Sequence, residues 1–251
     1  MATSVQSSAE LSQLLNPGML ANVREFWFRH LADSDHFVVP DKEEAYVWFS
    51  QNDDFDQECI SKFGPVLEFL SLNVKATDID DLLRAANPTS ALDWMSLIIL
   101  LDQLPRNCYR GDMAGIAYRF FDVLALNVAF RAIEAGIPER LEIRYRQAYR
   151  FWFYMPLEHS ETLKVVEIVV REHDIMFGDS HELLSKDISD VARDADTLYC
   201  REVLIKRRDA FDVWEAQLRQ VVSDHIATIR KHHRYPHRDL ALGRTKAETT
   251  I

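Results

Sequence analysis

The sequence predicts an all-α fold of stacked helical hairpins, tetratricopeptide-like, in a single domain. Three observations lead there. Hydrophobic residues make up 47% of the 251-residue chain, enough to build a large core. Only seven Gly and eight Pro punctuate it, too few for the frequent turns of a β-rich architecture. Apolar residues recur at helical spacing in segment after segment, separated by short polar breaks.

The first twenty residues are Ser-rich and weakly patterned, and are read as a flexible N-terminal segment ahead of one domain over 21–245. Val23, Phe26, Trp27 and Leu31 begin a helix that ends near DSDHFVVPD, and Pro40 suits the first turn of the next one. Ala45, Val47, Trp48 and Phe49 form an apolar cluster. Asp53 or Asp54 then caps a helix carrying Phe55, Cys59, Ile60 and Phe63, with Gly64-Pro65 as its stop. A short segment around Ile79, Leu82 and Leu83 is broken by Asn87-Pro88-Thr89-Ser90. The run ALDWMSLIILLDQL is apolar around most of its circumference and reads as a central, buried helix that Pro105 closes or kinks.

Asp112 caps a helix with Ile116, Phe120, Leu124, Val128 and Ile133 at helical spacing, ended by Gly136 and Pro138. An amphipathic stretch from Glu139 to Tyr154 follows, interrupted by Pro156. A helix resumes from LEHSE through Val169 until Gly178 breaks the chain. Residues 187–233 read as one very long helix or two stacked ones, with Ile188, Val191, Leu198, Val203, Phe211, Trp214, Leu218, Val222 and Ile226 as apolar positions. Beyond Pro236 the chain reads as irregular, and 246–251 as a disordered tail.

The net charge of −11 argues against a nucleic-acid binder, since phosphate affinity needs clustered Lys and Arg. Cys59, Cys108 and Cys200 are odd in number and outside any CxxC spacing, which points to a reducing compartment and no disulfide framework. No basic-then-apolar leader opens the chain and no stretch approaches about 18 unbroken apolar residues, so a cytoplasmic address and no membrane span are expected. The sequence is silent on oligomeric state.

Three polar segments stand out in this apolar background: LDQLPRN, PLEHSE and HRYPHRD. Asp102 is four residues before Arg106, a helical spacing that lets them pair; the alternative makes Asp102 a general acid or base, with Gln103, Asn107 and Arg110 as ligand donors. In the second segment, Glu158, His159 and Glu161 concentrate polar groups beside Ser160. His159 suits acid–base work near neutral pH, while Ser160 reads as an N-cap and Glu161 as a first-turn acid. No GxSxG elbow surrounds Ser160, so it is not a nucleophile. In the third segment, Arg234, His237 and Arg238 make a basic end that attracts a carboxylate or phosphate, or simply complements a helix dipole. His225, His232, His233 and His237 match no metal motif, and no Rossmann or P-loop glycine pattern exists, so neither metal nor cofactor is expected.

These segments carry a resemblance. FWF (Phe26 to Phe28), WF (Trp48, Phe49), FD (Phe55, Asp56), LDQLPRNCYRG (Leu101 to Gly111), PLEHSE (Pro156 to Glu161) and RYPHRDLALGRT (Arg234 to Thr245) occur in the order found in domain of unknown function family 924 of bacteria and fungi. The resemblance implies an all-α, tetratricopeptide-like fold and makes the motif residues candidate site residues without assigning chemistry. It also implies departures: Val166 where a Gln is expected, His232-His233 where a Phe-Gly pair is expected, and Asp239 in place of Asn.

Two functions follow as expectations. One is a cofactor-independent enzyme acting on a small apolar molecule bearing a carbonyl or carboxylate, an isomerase or cyclase of fungal secondary metabolism, including a pericyclic [4+2] type. Apolar walls would fold the substrate while His159, Arg106 or Gln103 polarised a carbonyl. The other is a non-catalytic helical protein that holds a peptide or protein partner in an open groove.

Overall fold

The computed structural model describes residues 10–187 and 194–245, and every regular element in them is helical. Residues 10–14 are helical, and Asn16 then caps α1 (Pro17–Phe28) by accepting from Met19 N. Leu11, Leu15 and Leu20 are all buried. The flexible segment expected over 1–20 is therefore corrected from residue 10 onward: three leucines in the core hold this part of the chain in place.

Helix α2 (Lys42–Phe49) starts two residues later than Pro40 would place it, because Asp41 and Glu44 form a reciprocal capping box. Asn52 rather than Asp53 or Asp54 caps α3 (Asp53–Asn73), which runs straight through Gly64-Pro65. Phe63, Val66, Leu67 and Leu70 are buried in sequence along its stripe, and that burial outweighs the one backbone donor Pro65 lacks. Helix α4 (Ile79–Ala86) ends at Asn87 in the left-handed conformation, as the Asn-Pro break predicts.

At the centre lies α5 (Ala91–Asp102), opened by a Ser90–Asp93 capping box and buried continuously from Met95 to Asp102. The chain breaks at Gln103 and restarts as α6 (Leu104–Cys108), with Pro105 in its first turn. Helix α7 (Gly111–Glu134) begins with a 3-10 turn that includes Asp112 and contains a π turn over Ala117–Phe121. The extra residue of a π turn rotates the following face, so Phe121, Leu124, Ala125 and Val128 are buried and Phe120 is displaced to the margin. By length and composition α7 is apolar enough to cross a membrane, and 44% of its most apolar window is buried inside this fold. Gly136, at φ 63°, provides the expected stop.

The continuous amphipathic helix expected over 139–154 is replaced by a series of single turns, Leu141–Arg144, Gln147–Arg150, Phe151–Phe153 and Met155–Glu158. Phe151, Trp152, Phe153 and Tyr154 are all buried. Four consecutive inward aromatics cannot share one face of a regular helix, and the broken path lets each find the core. Helix α8 (Leu163–Ser185) passes through Gly178, where a stop was expected, because its apolar stripe continues through Met176, Phe177 and Leu183. Two helices follow, α9 (Ala195–Lys206) and α10 (Arg208–His232); Ile188 and Val191 lie outside the described residues, as does 246–251.

The main helix pairings join α1 to α5, α3 to α6, α5 to α7 and α8 to α10. They form one all-helical domain around α5. The C-terminal segment, with a 3-10 turn at Pro236–Arg238, folds back over the start of α7. That return brings the last polar motif to the first.

Candidate functional site

The break after α5 leaves Asp102 at a helix end, fully buried and facing inward. Three donors meet it. His159 Nδ1 lies 2.8 Å from Oδ1, Gln103 Nε2 donates to Oδ2 at 2.5 Å, and Arg106 Nη2 lies 3.5 Å from Oδ1. Burial by itself would raise the Asp102 carboxyl, but the charges of His159 and Arg106 and the hydrogen bonds from His159 and Gln103 hold it below the usual carboxylate range. The same surroundings push His159 down: burial first, then the Arg106 guanidinium, only partly offset by Asp102. With Nδ1 on Asp102 and the ring lining a cavity, Nε2 of a neutral His159 is the free basic atom.

A second carboxylate, Asp122, rises from α7 just past the π turn. Arg106 Nη2 reaches its Oδ1 at 2.5 Å and Arg238 Nη1 its Oδ2 at 3.0 Å. Burial nonetheless raises the Asp122 carboxyl, outweighing both guanidiniums. Tyr118 backs this pair, with the guanidinium carbons of Arg106 and Arg238 lying 5.7 and 4.7 Å from its ring centre. Ligand atoms of Asp102, Asp122 and His159 lie within 4.8 Å of one another, a spacing a metal could use. The two arginines already neutralise these carboxylates, so the donor set does not suit a cation.

A half-open cavity of about 340 Å³ sits over this network. Its charged or titratable lining consists of Arg106, Arg110, Arg238, His159, His225 and His237 with Tyr109, Tyr118 and Tyr235; no carboxylate is among its lining residues. The acids stand one layer behind. Asp102 and Asp122 hold the inner bases, and Asp56 takes Arg110 through two bonds of 2.8 Å. The wall is thus a layer of donors fixed from behind by buried acceptors.

The match to known families fits this arrangement of motifs. The family model described as bacterial protein of unknown function (DUF924) matches residues 23–250. The chain belongs to that family. No curated protein and no solved structure matches it.

In this DUF924 member the three polar segments converge on one cavity, with Arg106 from the first and Arg110 just past its end, His159 from the second, and Tyr235, His237 and Arg238 from the third. The other residues expected at the site play supporting parts. Gln103 holds Asp102, Asn107 accepts from Arg110 at 3.0 Å, and Arg234 is locked to Asp239 by two bonds of 2.8 and 3.0 Å. Glu161 accepts from Tyr235 N and Arg244, which ties the second segment to the third and keeps its carboxyl low despite burial. Glu158 is buried, and its backbone carbonyl accepts from the Tyr235 hydroxyl at 2.5 Å. None of Gln103, Asn107, Arg234, Glu158 and Glu161 lines this cavity; each stands behind or beside its wall. Ser160 does not cap α8 either: Thr162 stands at the N-cap, and Ser160 Oγ accepts from Thr162 N in a local turn.

Sequence reasoning missed Asp122, Tyr118, Tyr235 and Asp56. Asp122 had a readable signal, a lone acid in the apolar run FFDVLAL. Tyr235 and Asp56 lie inside the RYPHRD and FD motifs, where nothing in the local pattern separates them from their neighbours.

Proposed function

We propose that the cavity binds a small anionic molecule and that the Asp102–His159 pair moves a proton on it. One observation carries this reading: the ionisable lining is basic or phenolic, while the carboxylates stand behind it. Guanidinium groups held on a rigid acidic layer offer oriented donors to a carboxylate or phosphate. A neutral imidazole with Nδ1 fixed by Asp102 presents Nε2 as a general base. This favours an isomerase-like proton shift over pericyclic cyclisation, which asks for apolar walls where this cavity offers imidazole, guanidinium and phenol.

Thermal unfolding with a panel of anions tests the proposal. Malonate, citrate or inorganic phosphate at about one hundred times its Kd is expected to add about 2.7 kcal/mol of stability. Arg238→Gln is expected to reduce that affinity at least tenfold. No anion-dependent shift in the wild-type protein, or an unchanged one in Arg238→Gln, would overturn it.

A peptide-binding role draws support from a separate apolar groove of about 490 Å³ lined by Ile60, Leu72, Met113 and Ile116 among others. Leu72 and Met113 are 75% and 54% exposed. Peptide binding that survives Arg238→Gln but fails in Leu72→Glu would favour this second reading.

A further inference from the structure

The network leaves two cavity-lining imidazoles unused, His225 and His237, and of these His225 stands against a buried carboxylate. His225, on α10, sits on the cavity wall with its ring 5.4 Å from that of Tyr235. Its Nδ1 lies 3.0 Å from Glu158 Oε2, at ion-pair distance though off the hydrogen-bonding direction. Glu158 is 1% exposed, and behind it His173 Nε2 lies 3.8 Å from Oε1. His173 is itself buried, with neither ring nitrogen hydrogen-bonded. A buried carboxylate in such surroundings requires a positive or donating partner. The imidazole able to serve it from the cavity side is His225.

Glu158 and His159 are adjacent in sequence, yet they turn to different sides. His159 takes Asp102 on its Nδ1, and Glu158 offers its own carboxylate to the Nδ1 of His225. Two of the three imidazoles lining the cavity therefore have a buried acid behind Nδ1.

We propose that His225, held by Glu158, is a second acid–base group of this cavity, so that a bound carboxylate with an acidic C–H is handled by two imidazoles. This rests on the anion-binding reading above. His159 Nε2 takes the proton from carbon and the electron pair remains on the substrate as an enolate; His225, its Nδ1–H facing Glu158, takes a proton from water on Nε2 and delivers it at another atom of the substrate. No electron is gained or lost, and both imidazoles return to their starting states by proton exchange with water. The reaction class is an isomerisation by proton transfer.

Long-range proton–nitrogen NMR spectra of the imidazoles, recorded on the full chain with and without malonate, test this. The expected result is a Nδ1–H neutral tautomer for both His159 and His225, and movement of both Nε2 resonances when malonate is added. Glu158→Gln is expected to shift His225 toward the Nε2–H tautomer that water favours while leaving His159 unchanged. A malonate response at His159 without one at His225, or an Nε2–H tautomer of His225 in the wild-type protein, overturns the second group and spares the anion site. A response at neither histidine overturns both. The wild-type spectra alone decide the matter should Glu158→Gln fail to fold.

Discussion

His159 and Asp102, 57 residues apart in sequence, meet through Nδ1 and Oδ1 at 2.8 Å, and this bond ties the turn after Glu158 to the end of α5. Cutting away the buried carboxylate leaves the imidazole N–H and the Gln103 amide without their acceptor and leaves Arg106 with Asp122 alone. Asp102→Ala is expected to cost about 3 kcal/mol of unfolding free energy, the scale for breaking a buried pair from one side. Asp102→Asn, which keeps the shape and one acceptor oxygen, is expected to cost about 1 kcal/mol. Urea unfolding of the three proteins measures both, and a loss in Asp102→Ala below about 1 kcal/mol would show that the pair does not hold the site together.

His173 governs a pH dependence. Its burial pushes its pKa below the ordinary histidine value, as burial does for His159, His30 and His237. A histidine depressed in the folded state binds fewer protons there than in the unfolded chain, so stability rises with pH across the interval. The contribution is whole above about pH 6.5 and drains as pH falls from there toward the folded values. His173→Phe removes one such group beside Tyr154 and Phe177, whose rings flank it at 5.8 and 5.9 Å. The variant should therefore lose less stability than wild type between pH 7.5 and 5.5 in urea titrations; an identical slope would contradict the assignment.

Gly115 controls how the C-terminal return docks. A Cβ there would stand 2.5 Å from the backbone oxygen of Ala241 and 3.0 Å from Arg119 Nη1. Backbone cannot yield as a side-chain tip can, so Gly115→Ala should push the 240–243 segment away from α7 at a cost of about 1–3 kcal/mol. Because Arg238 lies just upstream and reaches Asp122 from that segment, anion binding should weaken along with stability. Calorimetric titration with malonate reads the affinity, and unchanged binding would separate the docking of this segment from the site.

The sequence made some of this legible for definite reasons. Asp102 in the most apolar helix demanded a partner, and Arg106 at helical spacing was the available one; the structure adds His159 as the nearer contact. What escaped depended on non-local packing. The π turn at Ala117–Phe121 rotates α7, so periodicity aligned Phe120 with Leu124 when Phe121 is the buried ring, and Asp122 went unnoticed beside it. Gly64-Pro65 and Gly178 are true local breakers, overruled because the apolar stripes of α3 and α8 continue beyond them. His225 stood out in the sequence only as one of four histidines matching no metal motif, since a histidine on a helix as polar as α10 reads as solvated until Glu158 is placed behind it.

His233 closes α10 in the left-handed conformation, at φ 54° and ψ 18°, with its N–H on the carbonyl of Ile229. Glycine adopts that conformation without a Cβ penalty, and the family resemblance implies glycine here. The side chain of His233 is exposed, and among the described residues its imidazole makes no hydrogen bond or ion pair that offsets the strain. His233→Gly should therefore raise the unfolding free energy by about 1 kcal/mol, the usual balance of relieved strain against added unfolded-chain entropy. His233→Ala provides the control: it keeps the Cβ, so it should leave stability within about 0.5 kcal/mol of wild type. If alanine stabilised as much as glycine, the gain would come from losing the imidazole and the strain at this cap would be ruled out. Guanidinium unfolding midpoints of the three proteins decide between these outcomes, with anion affinity measured alongside because Tyr235 and the cavity begin two residues later.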